Sequence, residues 1–103
     1  SKSIEDIKIH KKEIEDKLPV LKGERENLWI KYKKTVFAKD KNFILERINL
    51  LSDEISTLYG QRNACNRIID TYNKVYEEIK KERLEKEKFE ELSNNDKKKI
   101  KKR

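Results

Sequence analysis

The 103-residue chain has few of the residues that build turns, cross-links and cofactor sites: 2 Gly, 1 Pro, 1 Cys, 1 His and no Met. A β sandwich needs turn residues every 8 to 12 positions, so this composition excludes it. A single cysteine excludes a disulfide scaffold and is typical of a reducing compartment. The longest apolar runs, such as residues 28–30, are far too short to span a membrane, and no signal peptide is visible. We therefore expect an intracellular protein, cytoplasmic or, in a eukaryote, nuclear.

Charge is what the chain has in abundance, with 46% charged residues and a formal net charge of +7. Such a composition is typical of a long helix or a coiled coil. Six of the 27 basic residues lie in residues 97–103, so residues 1–96 carry 21 basic and 20 acidic side chains. Residues 93–96 favour turns over helix. We expect the helical part to end near Leu92, and residues 93–103 to form a polar linker and a basic tail.

Apolar residues recur with the 3,4 spacing of a coiled-coil stripe in two long runs, each of which keeps a single phase. The seam positions of the first run are Ile4, Ile7, Lys11, Ile14, Leu18, Leu21, Arg25, Leu28 and Tyr32. Those of the second run are Ile44, Ile48, Leu51, Ile55, Leu58, Arg62, Cys65, Ile69, Tyr72, Tyr76 and Ile79. The pattern predicts an all-α protein with two long helices.

The heptad phase is lost between the runs, where Asp40 or Asn42 can cap a second helix. A short connector between long helices predicts a long antiparallel, coiled-coil-like helical hairpin. Its first helix covers about residues 3–36, its connector about 37–42 and its second helix about 43–92, so that residues 1–92 form one domain. Facing residue numbers can sum to 76 or to 83, and the sequence does not choose between these registers.

Pro19 is the main conflict with a continuous first helix. It removes a hydrogen bond to the Glu15 carbonyl and costs roughly 3 kcal/mol inside a helix. The first helix is therefore kinked near Pro19, or it is broken there and a second helix starts with Pro19 in its first turn. Because the heptad phase continues across Pro19, we favour the kink.

Apolar surface remains once such a hairpin is closed, because Ile68 and Val75 widen the second stripe to three positions per heptad. A stripe of this width is typical of a three- or four-helix bundle, and an isolated hairpin of this size is marginally stable. We therefore expect a non-catalytic coiled-coil interaction module that assembles into a larger helical bundle, as a homodimer or with partner helices. The predicted partner-binding residues are Trp29, Ile68, Ile69, Tyr72, Val75 and Tyr76.

Lys11, Arg25 and Arg62 place cations at seam positions. A cation there costs stability unless its stem packs and its charged end reaches water or a carboxylate. We favour such snorkelling, and the alternative is that these cations bind acidic groups of a partner.

Neither catalysis nor cofactor binding is indicated. His10 and Cys65 cannot by themselves form a zinc site or a nucleophile pair, and two isolated glycines cannot form a phosphate-binding loop. We expect His10 on the surface and Cys65 buried in the seam. The sequence predicts no enzyme activity, no catalytic residue, no metal or cofactor and no small-molecule substrate, and we do not expect membrane binding.

The alternative function is a nucleic-acid-binding accessory hairpin, a segment of a larger DNA- or RNA-processing protein. Basic residues cluster in the tail and near the connector, beside Trp29, Tyr32 and Phe37, and cations with aromatic rings suit phosphates and bases. In the simpler interpretation these rings pack the end of the hairpin. Because residues 1–96 are nearly neutral, we favour the interaction module. The candidate nucleic-acid contacts are Lys31, Lys33, Lys34, Lys39, Lys41, Lys97, Lys98, Lys99, Lys101, Lys102 and Arg103.

Overall fold

The computed structural model describes the backbone of residues 3–101 and the side chains of residues 3–93. It contains α1, Ile4–Lys34, and α2, Ala38–Lys101, joined by residues 35–37, and no strand occurs within residues 3–101. The predicted all-α helical hairpin is confirmed. The chain divides into two structural units, Ser1–Ile69 and Asp70–Arg103. The first unit contains the hairpin, and the second contains the later part of α2.

Both ends of α1 are closed by side-chain hydrogen bonds. Ser3 and Asp6 form a capping box, in which the Asp6 N–H donates to Ser3 Oγ at 3.2 Å and the Ser3 N–H donates to Asp6 Oδ2 at 3.3 Å. At the other end, Thr35 Oγ1 donates to the Lys31 carbonyl at 2.7 Å. These bonds replace backbone partners that a helix end lacks, which is why α1 begins and ends at these residues.

Pro19 lies inside α1 without interrupting it. The alternative of two helices separated at Pro19 is therefore wrong. Pro19 lies on the exposed side of α1, where water can hydrogen-bond the Glu15 carbonyl that lost its intrahelical donor.

The boundaries of α2 differ from the predicted ones at both ends. The helix begins at Ala38 instead of about residue 43, and the Lys41 N–H donates to the Phe37 carbonyl at 3.0 Å. Alanine is the strongest helix former, and Asp40 lies in the first turn, where its charge suits the helix dipole. The helix also continues to Lys101, beyond the end predicted near Leu92. Ser, Asn and Asp each cost only tenths of a kcal/mol in a helix, too little to end one.

The heptad seam forms the core of the hairpin. Seven apolar residues are buried, and all of them are predicted seam positions: Ile14, Leu18, Ile44, Ile48, Leu51, Ile55 and Cys65. Ile14, Leu18, Ile55 and Cys65 form one cluster, against which Ile7, Leu21, Leu58 and Tyr59 pack. No polar or charged residue is buried among the described side chains, so hydrophobic burial along the seam holds the two helices together.

The contacts between α1 and α2 select the register in which facing residue numbers sum to 76. In that register Arg25 faces Leu51, and Arg25 Nη1 donates to the next residue, Ser52, at 3.2 Å. Near the connector, Lys41 Nζ lies 4.8 Å from the centre of the Tyr32 ring. The register of 83 would place Tyr32 ten residues from Lys41 along α2, about 15 Å away, so it is excluded.

Candidate interaction surfaces

The second unit carries an apolar stripe that the described residues leave exposed. Tyr72, Val75, Tyr76 and Ile79, named here the exposed stripe, are 46%, 48%, 56% and 51% exposed. Their 3,4 spacing places them on one face of α2. The exposed stripe thus has the composition of a helix-packing face, without a helix packed on it.

The two tyrosines of the exposed stripe form a continuous aromatic surface. The rings of Tyr72 and Tyr76 are stacked with their centres 6.3 Å apart and an angle of 17° between their planes. Tyrosine is enriched in protein interfaces because its ring buries a large apolar area with little loss of conformational entropy.

Three of the six predicted partner-binding residues, Trp29, Ile68 and Ile69, lie in the hairpin unit, and Trp29 is remote from the other two. In the hairpin unit, Ile68 is 48% exposed and Ile69 is partly buried. Trp29 is 40% exposed, packs edge-on against Tyr32 at 5.5 Å and lines a surface depression with Ser52. Ile68 lies sixteen residues beyond Ser52 on α2, about 24 Å of helix. Trp29 is therefore part of a different surface from Ile68.

All three seam cations turn toward the same edge of the hairpin. Lys11 Nζ lies 3.8 Å from Glu15 Oε1, Arg25 donates to Ser52, and the Arg62 guanidinium lies 4.8 Å from the centre of the Tyr59 ring. Glu15, Lys22 and Trp29 follow one line of α1, seven residues apart, and Ser52 and Tyr59 follow one line of α2. Lys22 Nζ also lies 4.6 Å from the centre of the Tyr59 ring. The line of α1 and the line of α2 therefore lie along the same edge of the hairpin.

We name Lys22, Arg25, Trp29, Ser52, Tyr59 and Arg62 the cationic edge. Within residues 3–93, none of its three cations forms an ion pair with a carboxylate. Arg62 Nε is buried without any hydrogen-bond partner in the described part of the chain. Lys11 reaches a carboxylate, as snorkelling predicts, whereas Arg25 and Arg62 meet Ser52 and the Tyr59 ring instead. The edge therefore carries positive charge without a carboxylate partner in the described part of the chain. Sequence reasoning found Arg25 and Arg62 but not Lys22, Ser52 or Tyr59, whose heptad positions beside the seam were the available signal.

The connector end of the hairpin exposes apolar side chains among lysines. Val36, Phe37 and Phe43 are 85%, 73% and 75% exposed, so Phe37 does not pack the end of the hairpin as the simpler interpretation expected. Lys31, Lys33, Lys34 and Lys39 are exposed, whereas Lys41 is partly buried and lies over Tyr32. The side chains of the predicted tail contacts, Lys97, Lys98, Lys99, Lys101, Lys102 and Arg103, lie outside the described residues.

His10 and Cys65, the two residues considered for chemistry, lie in different environments. Cys65 is 4% exposed in the seam, as predicted. His10 is partly buried, with its Nδ1 3.9 Å from Glu13 Oε2. Among the residues that the structure describes, no group of three His, Cys, Asp or Glu side chains could hold a metal ion, and no helix has the length and apolarity to cross a membrane.

Comparisons with protein-family models, curated proteins and solved structures found no match to this chain.

Proposed function

We propose that this chain is a non-catalytic helical interaction module, in which the exposed stripe binds a helix of a second copy or of a partner protein. The observation that carries the proposal is the contrast within one heptad pattern: Cys65 is 4% exposed, whereas Tyr72, seven residues later at the equivalent position, is 46% exposed. A half-exposed large side chain has on the order of 1 kcal/mol still to gain on full burial. Four such side chains on one helix face favour association with a further helix.

Sedimentation equilibrium of the full chain tests this proposal. Val75→Glu places a charge at the centre of the exposed stripe, and we expect it to abolish self-association or the binding of an added partner helix. Val20→Glu is a matched control, because Val20 is 61% exposed on α1, in the hairpin unit. If the Val75→Glu variant keeps the wild-type mass and binds partners as wild type does, the exposed stripe is not the interface.

One observation favours nucleic-acid binding as a second candidate function. Phe37 is 73% exposed beside exposed lysines, and a solvent-facing ring among cations is the arrangement on which single-stranded bases stack. In this proposal the connector end binds a single strand, and the basic tail adds phosphate contacts.

Fluorescence anisotropy with a labelled single-stranded oligonucleotide tests the second candidate. We expect binding that weakens steeply with salt, and Phe37→Ala to weaken it by about tenfold, since one stacked base contributes about 1–3 kcal/mol. Phe89→Ala is the matched control, because Phe89 is equally exposed in the second unit. Absence of binding at low salt would remove this candidate.

A further inference from the structure

The second unit carries an acidic face whose spacing matches that of the cationic edge. Glu82, Glu85 and Phe89 follow each other at three and four residues on α2, and all three are exposed. Lys22, Arg25 and Trp29 follow each other at the same three and four residues on α1. If two such helices lie side by side and parallel, each residue of one set lies at the same height along the helix axis as its counterpart in the other set, because the rise per residue is 1.5 Å in both helices.

The charges of the two faces are opposite in sign. Neither Glu82 nor Glu85 forms an ion pair among the described residues, and the same is true of Lys22 and Arg25. Opposite charges at matching spacing attract and set the register of a helix pair. In the parallel arrangement Glu82 meets Lys22 and Glu85 meets Arg25.

The aromatic residues extend this match. Phe89 is 73% exposed and Trp29 is 40% exposed, and each lies four residues after the last charge of its set. Aromatic side chains that meet edge-to-face or offset attract each other beyond the effect of the area they bury. Trp29 and Phe89 thus supply the apolar contact that an exposed ion pair lacks.

A third carboxylate extends the acidic face, and the cationic edge has one further cation. Glu78 lies one helical turn before Glu82 on the same face and is exposed. The Arg62 guanidinium shares the Tyr59 ring with Lys22, and its buried Nε has no partner in residues 3–93. A carboxylate of the second copy beside the Tyr59 ring can accept a hydrogen bond from the Arg62 guanidinium, which is already partly removed from water.

From these four observations we propose that the cationic edge of one copy binds the Glu78–Glu82–Glu85–Phe89 face of a second copy, parallel to α1. This inference rests on the proposed interaction function, and it identifies the partner as the same chain. Each copy carries both surfaces. If each of two copies binds the acidic face of the other, the result is a closed dimer, and if each copy binds only the next one, the copies form an open row.

Charge reversal on both sides of the contact tests the proposal in the full-length chain. We expect wild type to self-associate at about 0.05 M salt and to weaken at about 0.5 M salt. Arg25→Glu and Glu85→Arg each raise the dissociation constant at least tenfold, and the double variant restores it to within a few-fold of wild type. Lys17→Glu makes the same charge change at an exposed residue of α1 that belongs to neither line of the cationic edge, and it leaves association unchanged.

Trp29 supplies an independent readout, because it is the only tryptophan of the chain. Its emission shifts to the blue as the protein concentration rises, since Phe89 removes water from the indole. Phe89→Ala abolishes this shift, and Phe43→Ala, which removes an equally exposed ring at the connector end, preserves it.

Several results overturn the proposal. A monomeric wild type does so, and so does a double variant that associates no better than the single ones. If the charge reversals have no effect but Val75→Glu abolishes association, the contact with a second copy through the cationic edge is rejected and the interaction function is kept. If the charge reversals weaken association but Val75→Glu does not, this contact is kept and the exposed stripe is rejected as an interface. If wild type is monomeric and binds a single-stranded oligonucleotide through Arg25, the cationic edge is a nucleic-acid surface instead.

Discussion

Ile44 and Ile79 occupy equivalent positions of one heptad pattern on α2, five heptads apart, but only one of them is in a core. Ile44 is 6% exposed beneath α1, whereas Ile79 is 51% exposed in the second unit. The residue types and the spacing are the same in both places. Heptad spacing therefore states which residues share a helix face, and the presence of a neighbouring helix decides whether that face becomes a core or an interface.

The largest expected effect is a difference in stability between two identical substitutions at these positions. We expect Ile44→Ala to lower the free energy of unfolding by about 2–5 kcal/mol, because it leaves a cavity in the seam. Ile79→Ala has less than about 1 kcal/mol to lose, since the side chain is already half in water. Urea unfolding followed by circular dichroism, at concentrations where the chain is monomeric, measures both. Equal losses would show that residues 70–79 are as well packed as the seam.

Thiol reactivity compares the last buried seam position with the first exposed one in a single chain. A Tyr72→Cys variant carries two thiols seven residues apart, and we expect Cys65 to react with an aromatic disulfide reagent at least about a hundredfold more slowly than the introduced one. Urea should make both reactions fast. If Cys65 reacts as rapidly as the introduced thiol under native conditions, the hairpin is open at that end.

A smaller effect is expected from removing a seam cation. Arg62→Leu should raise the stability of the monomer by about 1 kcal/mol, because it removes a buried Nε without a partner and loses only an exposed 3.5 Å hydrogen bond from Nη2 to Asn63 Oδ1. Arg25→Leu is the comparison, and it should stabilise less, because it also removes the hydrogen bond to Ser52. Thermal unfolding ranks the two variants. The opposite ranking would contradict the described role of Ser52.

The smallest expected effect comes from the two glycines of the hairpin unit. A Cβ added at Gly23 or Gly60 meets nothing within 4 Å, so alanine gains helix propensity without a clash. Each substitution should stabilise the hairpin by about 0.5–1 kcal/mol. Circular dichroism melting of each single variant checks this, and a loss of stability would mean that a helix packs closely at that position.

Much of the fold was predictable from residue spacing. The hairpin, the seam of the first unit and the burial of Cys65 follow from apolar periodicity, because a continuous stripe has to be buried somewhere. Boundaries were less predictable: α2 begins at Ala38 and continues to Lys101, since single-residue propensities of tenths of a kcal/mol do not outweigh the cooperativity of a long helix.

The candidate surfaces were only half predictable. Tyr72 and Tyr76 were selected because they continue the seam, and Val75 was selected because it widens the stripe beside them. Trp29 was grouped with Ile68, yet the two lie on different surfaces of the hairpin unit, since a flat heptad scheme does not show how far apart two residues of an antiparallel pair lie along the hairpin axis. The cationic edge could not be foreseen from composition, because the near-neutral sum of charges conceals how the charges are divided between the two edges.

The heptad pattern by itself determined that this chain forms two long helices, that they pair along one seam, and that more apolar surface exists than a hairpin can cover. Only the tertiary structure decided the register of 76, the single edge to which the seam cations turn, and the exposed state of Phe37. The reason is that spacing constrains the direction of a side chain around its own helix. Which neighbour it meets depends on the axial alignment of two helices, which is set by the sum of many contacts along the seam.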